Sequence, residues 1–135
     1  AIPKNQEMDQ VLITAIKESC RPNVVDNAIS MGVNVNTKLA NTLVLCIQNI
    51  TKNLYNCLDF LEIVIILLEA GISMEYREEG IKTATHSVRA KTESLFIDDK
   101  KAVQVLGIIL TILNNAPPPK GRSHMPYKEI ACSTA

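Results

Sequence analysis

Between Leu61 and Gly71 the chain runs Leu-Glu-Ile-Val-Ile-Ile-Leu-Leu-Glu-Ala-Gly, and no other stretch limits the fold as much. Only Glu62 and Glu69 interrupt its apolar character. They lie seven residues apart, so on a helix they share one outer stripe. Gly71 stops this helix, because glycine takes the left-handed conformation beyond a helix end without a Cβ penalty. Ile72 to Glu75 then continues as a short extended segment. Aromatic residues make up 4% of the chain and Trp is absent, so the core is aliphatic, which suits packed helices.

Two weaker copies of this pattern flank it. In the first, about 8–36, Val11 to Ile16 is a short helix with the small Ala15 inside. Arg21-Pro22-Asn23 breaks it, since proline cannot continue a helix. Val24 to Met31 is a second helix, Gly32 ends it, and Val33-Asn34-Val35-Asn36 runs on extended. The second copy, about 37–75, opens at 41–47, with Thr42 as the helix start and Cys46 in the place of Ala15. Asn49 to Asn56 is polar and turn-forming, and the helix Leu58 to Ala70 follows. The third, about 76–116, opens at Gly80 to Val88. A charged stretch Arg89 to Lys101 places Asp98 and Asp99 before the helix Ala102 to Asn115, near the positive end of its dipole. Ala116-Pro117-Pro118-Pro119 ends it. Gly32 and Gly71 are 39 residues apart, and Gly71 and Ala116 are 45 apart.

Several residues resemble the ankyrin repeat. They are Leu-Glu-Ile-Val with Leu-Leu-Glu-Ala-Gly at 61–71, Val-Asn-Val-Asn at 33–36, and Gly80 through His86, which is similar to the family's Gly-x-Thr-Pro-Leu-His opening. Ala84 stands for the Pro and Thr85 for the Leu, and Asn41-Thr42-Leu43-Val44 is a poorer version. An ankyrin unit is about 33 residues, so the spacing is stretched; HEAT and armadillo units of about 40–47 fit it better. The resemblance implies an all-α, short helical-repeat solenoid of paired antiparallel helices with small β-hairpin loops. It would occupy 1–116, followed by a flexible Pro-rich and basic tail, 117–135. Stacking would bury what one unit cannot, with Ala15, Cys46 and Val88 letting helices approach.

The resemblance also implies a function, protein–protein recognition by an adaptor, inhibitor or assembly subunit. Contacts would come from hairpin tips, here Asn36, Lys38 and Leu39 on one and Tyr76, Arg77, Glu78 and Glu79 on the next. Thr14, Lys17, Leu45, Gln48 and Ser87 would line the concave face. Gly32 and Gly71 would be structural, and His86 would tie neighbouring turns together with Thr83 by hydrogen bonds.

Charge and motifs exclude other classes. The 14 basic residues balance the 14 acidic ones, so no basic excess exists to neutralise phosphates, and neither nucleic acid nor a membrane surface is an expected partner. The apolar runs at 58–72 and 102–113 fall short of the ~20 residues that span a bilayer. Cys20, Cys46, Cys57 and Cys132 form no CxxC pair, which predicts thiols in a reducing, intracellular setting rather than a zinc site. No Ser–His–Asp or Cys–His arrangement is legible. The chain is therefore expected not to be an enzyme and to need no cofactor or metal. Cys132, fourth from the last residue, is a poor prenylation box, because Ser133 and Thr134 replace the aliphatic pair.

The last helix carries its own signal. From Ala102 to Leu113 only Gln104, Gly107 and Thr111 break its apolarity, forming one weakly polar stripe. A terminal repeat normally shows water a charged face. The expectation is that a partner, or a second copy of this chain, packs on Val103, Leu106, Ile109, Leu110 and Leu113.

Overall fold

A computed structural model describes residues 4–19, 21–52 and 57–117. The described residues are all-helical in their regular structure, with no strand among them. The elements are α1 (Lys4–Thr14), which runs into a π-helical turn (Ala15–Ser19), α2 (Pro22–Ser30), α3 (Thr42–Lys52), α4 (Cys57–Glu69), α5 (Met74–Lys91) and α6 (Ile97–Asn115). None of these helices is long and apolar enough to cross a membrane.

The helices pack in pairs, and the pairs pack on one another. α1 and its π turn lie against α2, α3 against α4, and α5 against α6. The π turn, α3 and α5 form one row; α2, α4 and α6 form the other. α4 has neighbours in α2, α3 and α6, which explains its composition: Phe60, Ile63, Val64, Leu67 and Leu68 have no solvent-exposed surface. Burial of each such side chain stabilises the fold by roughly 1.5–3 kcal/mol. They join Leu12, Ile16, Val25, Leu43, Ile47, Leu106 and Ile109 in a single apolar cluster.

Gly32 and Gly71 end α2 and α4 by the same device. Their φ angles are +96° and +92°. The Gly32 amide donates to Ile29 O and the Val33 amide to Ala28 O; Gly71 donates to Leu68 O and Ile72 to Leu67 O. This is the paired bonding of a Schellman turn, and in each the following residue, Val33 or Ile72, is buried beside the helix it closes.

Other boundaries differ from the sequence reading. Pro22 lies in the first turn of α2, where its missing N–H costs nothing, so the helix starts at the proline rather than after it. α3 extends through Asn49 to Lys52, replacing half of the expected turn; residues 53–56 lie outside the described ones. Asp98 and Asp99 are inside the first turn of α6, not before it.

The largest departure is α5. Its expected start near Gly80 is two turns late. Ser73 is the N-cap, its hydroxyl accepting from the Tyr76 amide at 3.2 Å, and Glu75 lies in the first turn, where the helix dipole favours it. Gly80 is then a helix-interior residue packed on α3. A Cβ there would come within 2.8 Å of Leu43 Cδ2. The small residues at the α3–α5 contact are therefore Gly80 and Ala84, both buried, rather than Val88.

Where β-hairpins were expected, residues 31–41 and 70–73 form turns held by side chains. Asn36 Nδ2 donates to Gly71 O at 3.1 Å, and Asn36 Oδ1 accepts from the Ser73 amide at 2.6 Å. The Tyr76 hydroxyl donates to Thr37 O at 2.6 Å. Asn41 Oδ1 caps α3 by accepting from the Leu43 and Val44 amides, and its Nδ2 reaches Tyr76 O and Glu79 Oε2. The two turns are stitched side by side without strands.

Candidate functional site

The turn between α5 and α6 is built around Asp99. Lys91 Nζ meets Asp99 Oδ1 at 2.9 Å, and the Ser94 hydroxyl donates to Asp99 Oδ2 at 2.6 Å. The same Ser94 oxygen accepts from the Phe96 amide at 3.2 Å, and the Ser94 amide donates to Lys91 O. The Ser94 hydrogen bond, and then Lys91, hold the Asp99 carboxyl below its ordinary pKa. Phe96 is the extended N-cap of α6 and makes no side-chain capping bond.

This bracing has a consequence at the surface. Leu95 is 87% exposed, Phe96 75% and Ile97 80%. A single exposed apolar residue is ordinary, but three consecutive large ones are not. Leu58, 66% exposed in the first turn of α4, adds to this end of the helix array. Its neighbour Cys57 is within electrostatic reach of Lys101 and Asp98 at the start of α6, although burial dominates and raises the Cys57 thiol pKa. Glu93, Asp98, Lys100 and Lys101, next to the tip in the chain, are exposed and carry charge of both signs, and Asp98 and Lys101 are also within electrostatic reach of Cys57.

The residues expected to bind a partner fall into three groups. Asn36, Tyr76 and Arg77 are spent on internal contacts: Asn36 and Tyr76 in the bonds above, and Arg77 buried, with only 1% of its surface exposed. Tyr76, Arg77, Glu78 and Glu79 lie in the first turns of α5, not on a hairpin tip. Lys38 and Leu39 on the turn before α3, and Glu78 and Glu79 in the first turns of α5, are exposed, at the opposite end of α5 from Leu95.

The apolar face of α6 is not open. Leu106, Ile109 and Leu113 are buried and Val103 and Leu110 half-buried, because α5 is long enough to lie along α6 and α4 covers its other side. What faces outward is Lys100, Lys101, Gln104, Gly107, Asn114 and Asn115, a polar surface after all. A second copy is not needed to cover Val103 to Leu113.

His86 is exposed on α5 and has no hydrogen bond to another described residue, while the Thr83 hydroxyl donates to Glu79 O one turn back in its own helix. The expected His86–Thr83 tie is absent. Its reason is the helix shift: with α5 starting at Met74, His86 is inside the helix on its solvent side rather than at a repeat's opening turn. Of the concave-face residues, Thr14, Lys17 and Gln48 are exposed, and Leu45 and Ser87 half-buried.

A groove of about 230 Å³ between α2 and α4 is lined by Pro22, Asn23, Asp26, Glu62, Ile66 and Glu69. Its carboxylates do not converge: among the described residues no group of three or more His, Cys, Asp or Glu side chains is placed to hold a metal ion. Cys20, His124 and Cys132 lie outside the described residues.

Comparison with protein-family models, curated proteins and solved structures gives no match.

Proposed function

We propose that this chain is a protein–protein interaction module, an adaptor, inhibitor or assembly subunit, whose main contact is the apolar tip Leu95-Phe96-Ile97. One observation carries the reading: three adjacent large apolar side chains stand in solvent on a turn that Asp99, Ser94 and Lys91 hold in one geometry. Such a tip gains by entering an apolar pocket, roughly 1.5–3 kcal/mol per side chain before association costs. Aromatic anchors dominate interface energetics, so Phe96 is the leading contact. Because the turn is already ordered, little conformational freedom is lost on docking.

The wider frame is an ankyrin-like stack of three helix pairs. Support comes from the two rows of packed helices and from the same Schellman turn recurring at Gly32 and Gly71. The lack of strands among the described residues, together with the 39-residue spacing, favours a strandless helical repeat of the HEAT or armadillo kind as the second reading. Either frame is a scaffold for binding, and neither assigns a catalytic group. The exposed Lys38, Leu39, Glu78 and Glu79 at the far end would be a second, more polar contact. An intracellular setting fits the buried thiols of Cys46 and Cys57.

The test is quantitative capture from a cell extract by the immobilised chain and by its L95S/F96S/I97S variant, both checked for equal helicity and melting. A protein retained by the parent chain and lost from the variant supports the proposal. Identical captured sets would refute it.

A further inference from the structure

The solvent face of α5 carries a charge pattern with its own symmetry. Glu75, Glu78, Glu79, Lys82, His86 and Arg89 are all exposed, and their spacing sets them along one side of the helix. The stripe is segregated. Its first half holds the carboxylates, and from Gly80 to Thr92 the chain has no acidic residue. Lys82 is the centre of an inverted pattern: Glu78 and His86 stand four residues to either side of it, and Glu75 and Arg89 seven. Each of these acidic positions has a basic counterpart at the same distance on the other side.

Two ordinary explanations do not account for this. Acidic residues at a helix start and basic ones at its end complement the helix dipole, but that effect fades beyond the first and last turns, and Lys82 and His86 lie between those turns. Pairing along the helix is open to Glu78 and Lys82, yet among the described residues none of the six side chains makes an ion pair. Glu79 is engaged by a neutral group, accepting from Asn41 Nδ2 at 3.0 Å. α5 packs on α3 and α6 and is the last helix of its row, so the stripe is open to approach from outside the array.

A face of this kind is complementary to itself when reversed. We infer that α5 is the contact of an antiparallel two-fold dimer whose partner is a second copy of this chain. With the symmetry axis beside Lys82, Glu75 lies level with the partner's Arg89, and Glu78 with the partner's His86. Each contact occurs twice, as an isologous interface requires. Arg89 can meet a carboxylate through two parallel N–H bonds, and the His86 ring donates one. Lys82 meets its own counterpart, with Glu78 and Glu79 one turn away on both copies. A parallel arrangement would set like charges opposite each other, and charge patterns select orientation more than they supply affinity. The interface is polar and small, so the dimer is weak and salt-sensitive. The contact lies beyond the apolar tip and adds to it: α5 has 18 residues and is about 27 Å long, so antiparallel pairing presents two Leu95-Phe96-Ile97 tips, one at each end.

The test follows the full chain by sedimentation equilibrium at about 10 mM and about 1 M salt, where charges are screened beyond about 30 Å and about 3 Å. A dimer is expected at low salt, with a dissociation constant that rises about tenfold or more at high salt. Two charge-reversal variants, E75K/E78K and H86E/R89E, are checked by circular dichroism for helicity equal to the parent's. Each alone brings like charges together and should be monomeric. Mixed in equal amounts they restore every pairing and should form a heterodimer. If these variants do not fold, E78K and H86E take their place on the same logic. L95S/F96S/I97S should dimerise as the parent does, which separates this contact from the tip. A parent chain that is monomeric at low salt, reversed variants that dimerise alone, or reversed variants that stay apart when mixed would overturn the inference, and so would a dimer lost only in the tip variant.

Discussion

Two glycines in neighbouring helices should respond to the same substitution with opposite sign. Gly80 in α5 and Gly107 in α6 are both helix-interior, and alanine is intrinsically better than glycine there by about 1 kcal/mol. Around Gly107 an added Cβ meets nothing within 4 Å, so Gly107→Ala should keep the whole gain and stabilise by about 1 kcal/mol. At Gly80 the Cβ would lie 2.8 Å from Leu43 Cδ2, 3.1 Å from Leu43 Cγ and 3.4 Å from Ile47 Cδ1. Leu43 and Ile47 are fully buried, so neither can swing clear, and overpacking of this kind costs about 1–3 kcal/mol. Gly80→Ala should therefore lose about 1 kcal/mol net. The two variants should differ by about 2 kcal/mol, a gap of about 8 °C in melting temperature for a chain of this size. Thermal unfolding followed by circular dichroism, checked by urea titration, measures this. If both substitutions raise the melting temperature equally, α3 and α5 do not approach closely at Gly80, and the helix start at Met74 is wrong as well.

Three further outcomes follow from the same contacts. Asn36→Ala removes the bonds to Gly71 O and the Ser73 amide and should cost about 2 kcal/mol in urea unfolding, at about 1 kcal/mol per hydrogen bond; a change under about 0.5 kcal/mol would contradict the stitched turns. His86→Ala should stay within about 0.5 kcal/mol of the parent, as an exposed helix residue does, whereas a large loss would restore the structural histidine of the ankyrin pattern. Asp99 has a depressed pKa, so its contribution is fully present above the ordinary carboxylate value of 3.8 and is lost as pH falls through the lower folded value. The Ser94 and Phe96 amide resonances should accordingly shift below about pH 4 with a titration midpoint lower than that of an unpaired carboxylate. An ordinary midpoint would mean that the turn is not braced.

What could be seen in the sequence was the part set by local chemistry. Gly32 and Gly71 are legible as helix stops because their positive φ is a backbone requirement, and α4 is legible because a helix apolar on nearly every side has to be central. The start of α5 was hidden by Gly80. A glycine usually punctuates a helix, and only the neighbouring Leu43 shows that it is there for close packing. With the start at Met74, Tyr76 to Glu79 are helical rather than on a hairpin tip, His86 is on the solvent side of a helix, and α5 is long enough to lie along α6. Arg77 was legible as a polar residue but not as a buried one, since charged side chains are rarely enclosed. The Leu95-Phe96-Ile97 run was visible inside the charged stretch 89–101. Whether three apolar residues turn inward or outward is decided by what packs around them, and periodicity says nothing of it.

The most direct measurement is the affinity of the chain, parent and Phe96→Ala, for a protein captured through the tip, by interferometry or calorimetry. Truncating a central aromatic anchor typically costs 2 kcal/mol or more, so Kd should rise about 30-fold or more while the melting temperature stays the same. An unchanged Kd would show that the exposed tip is not what this protein uses to bind.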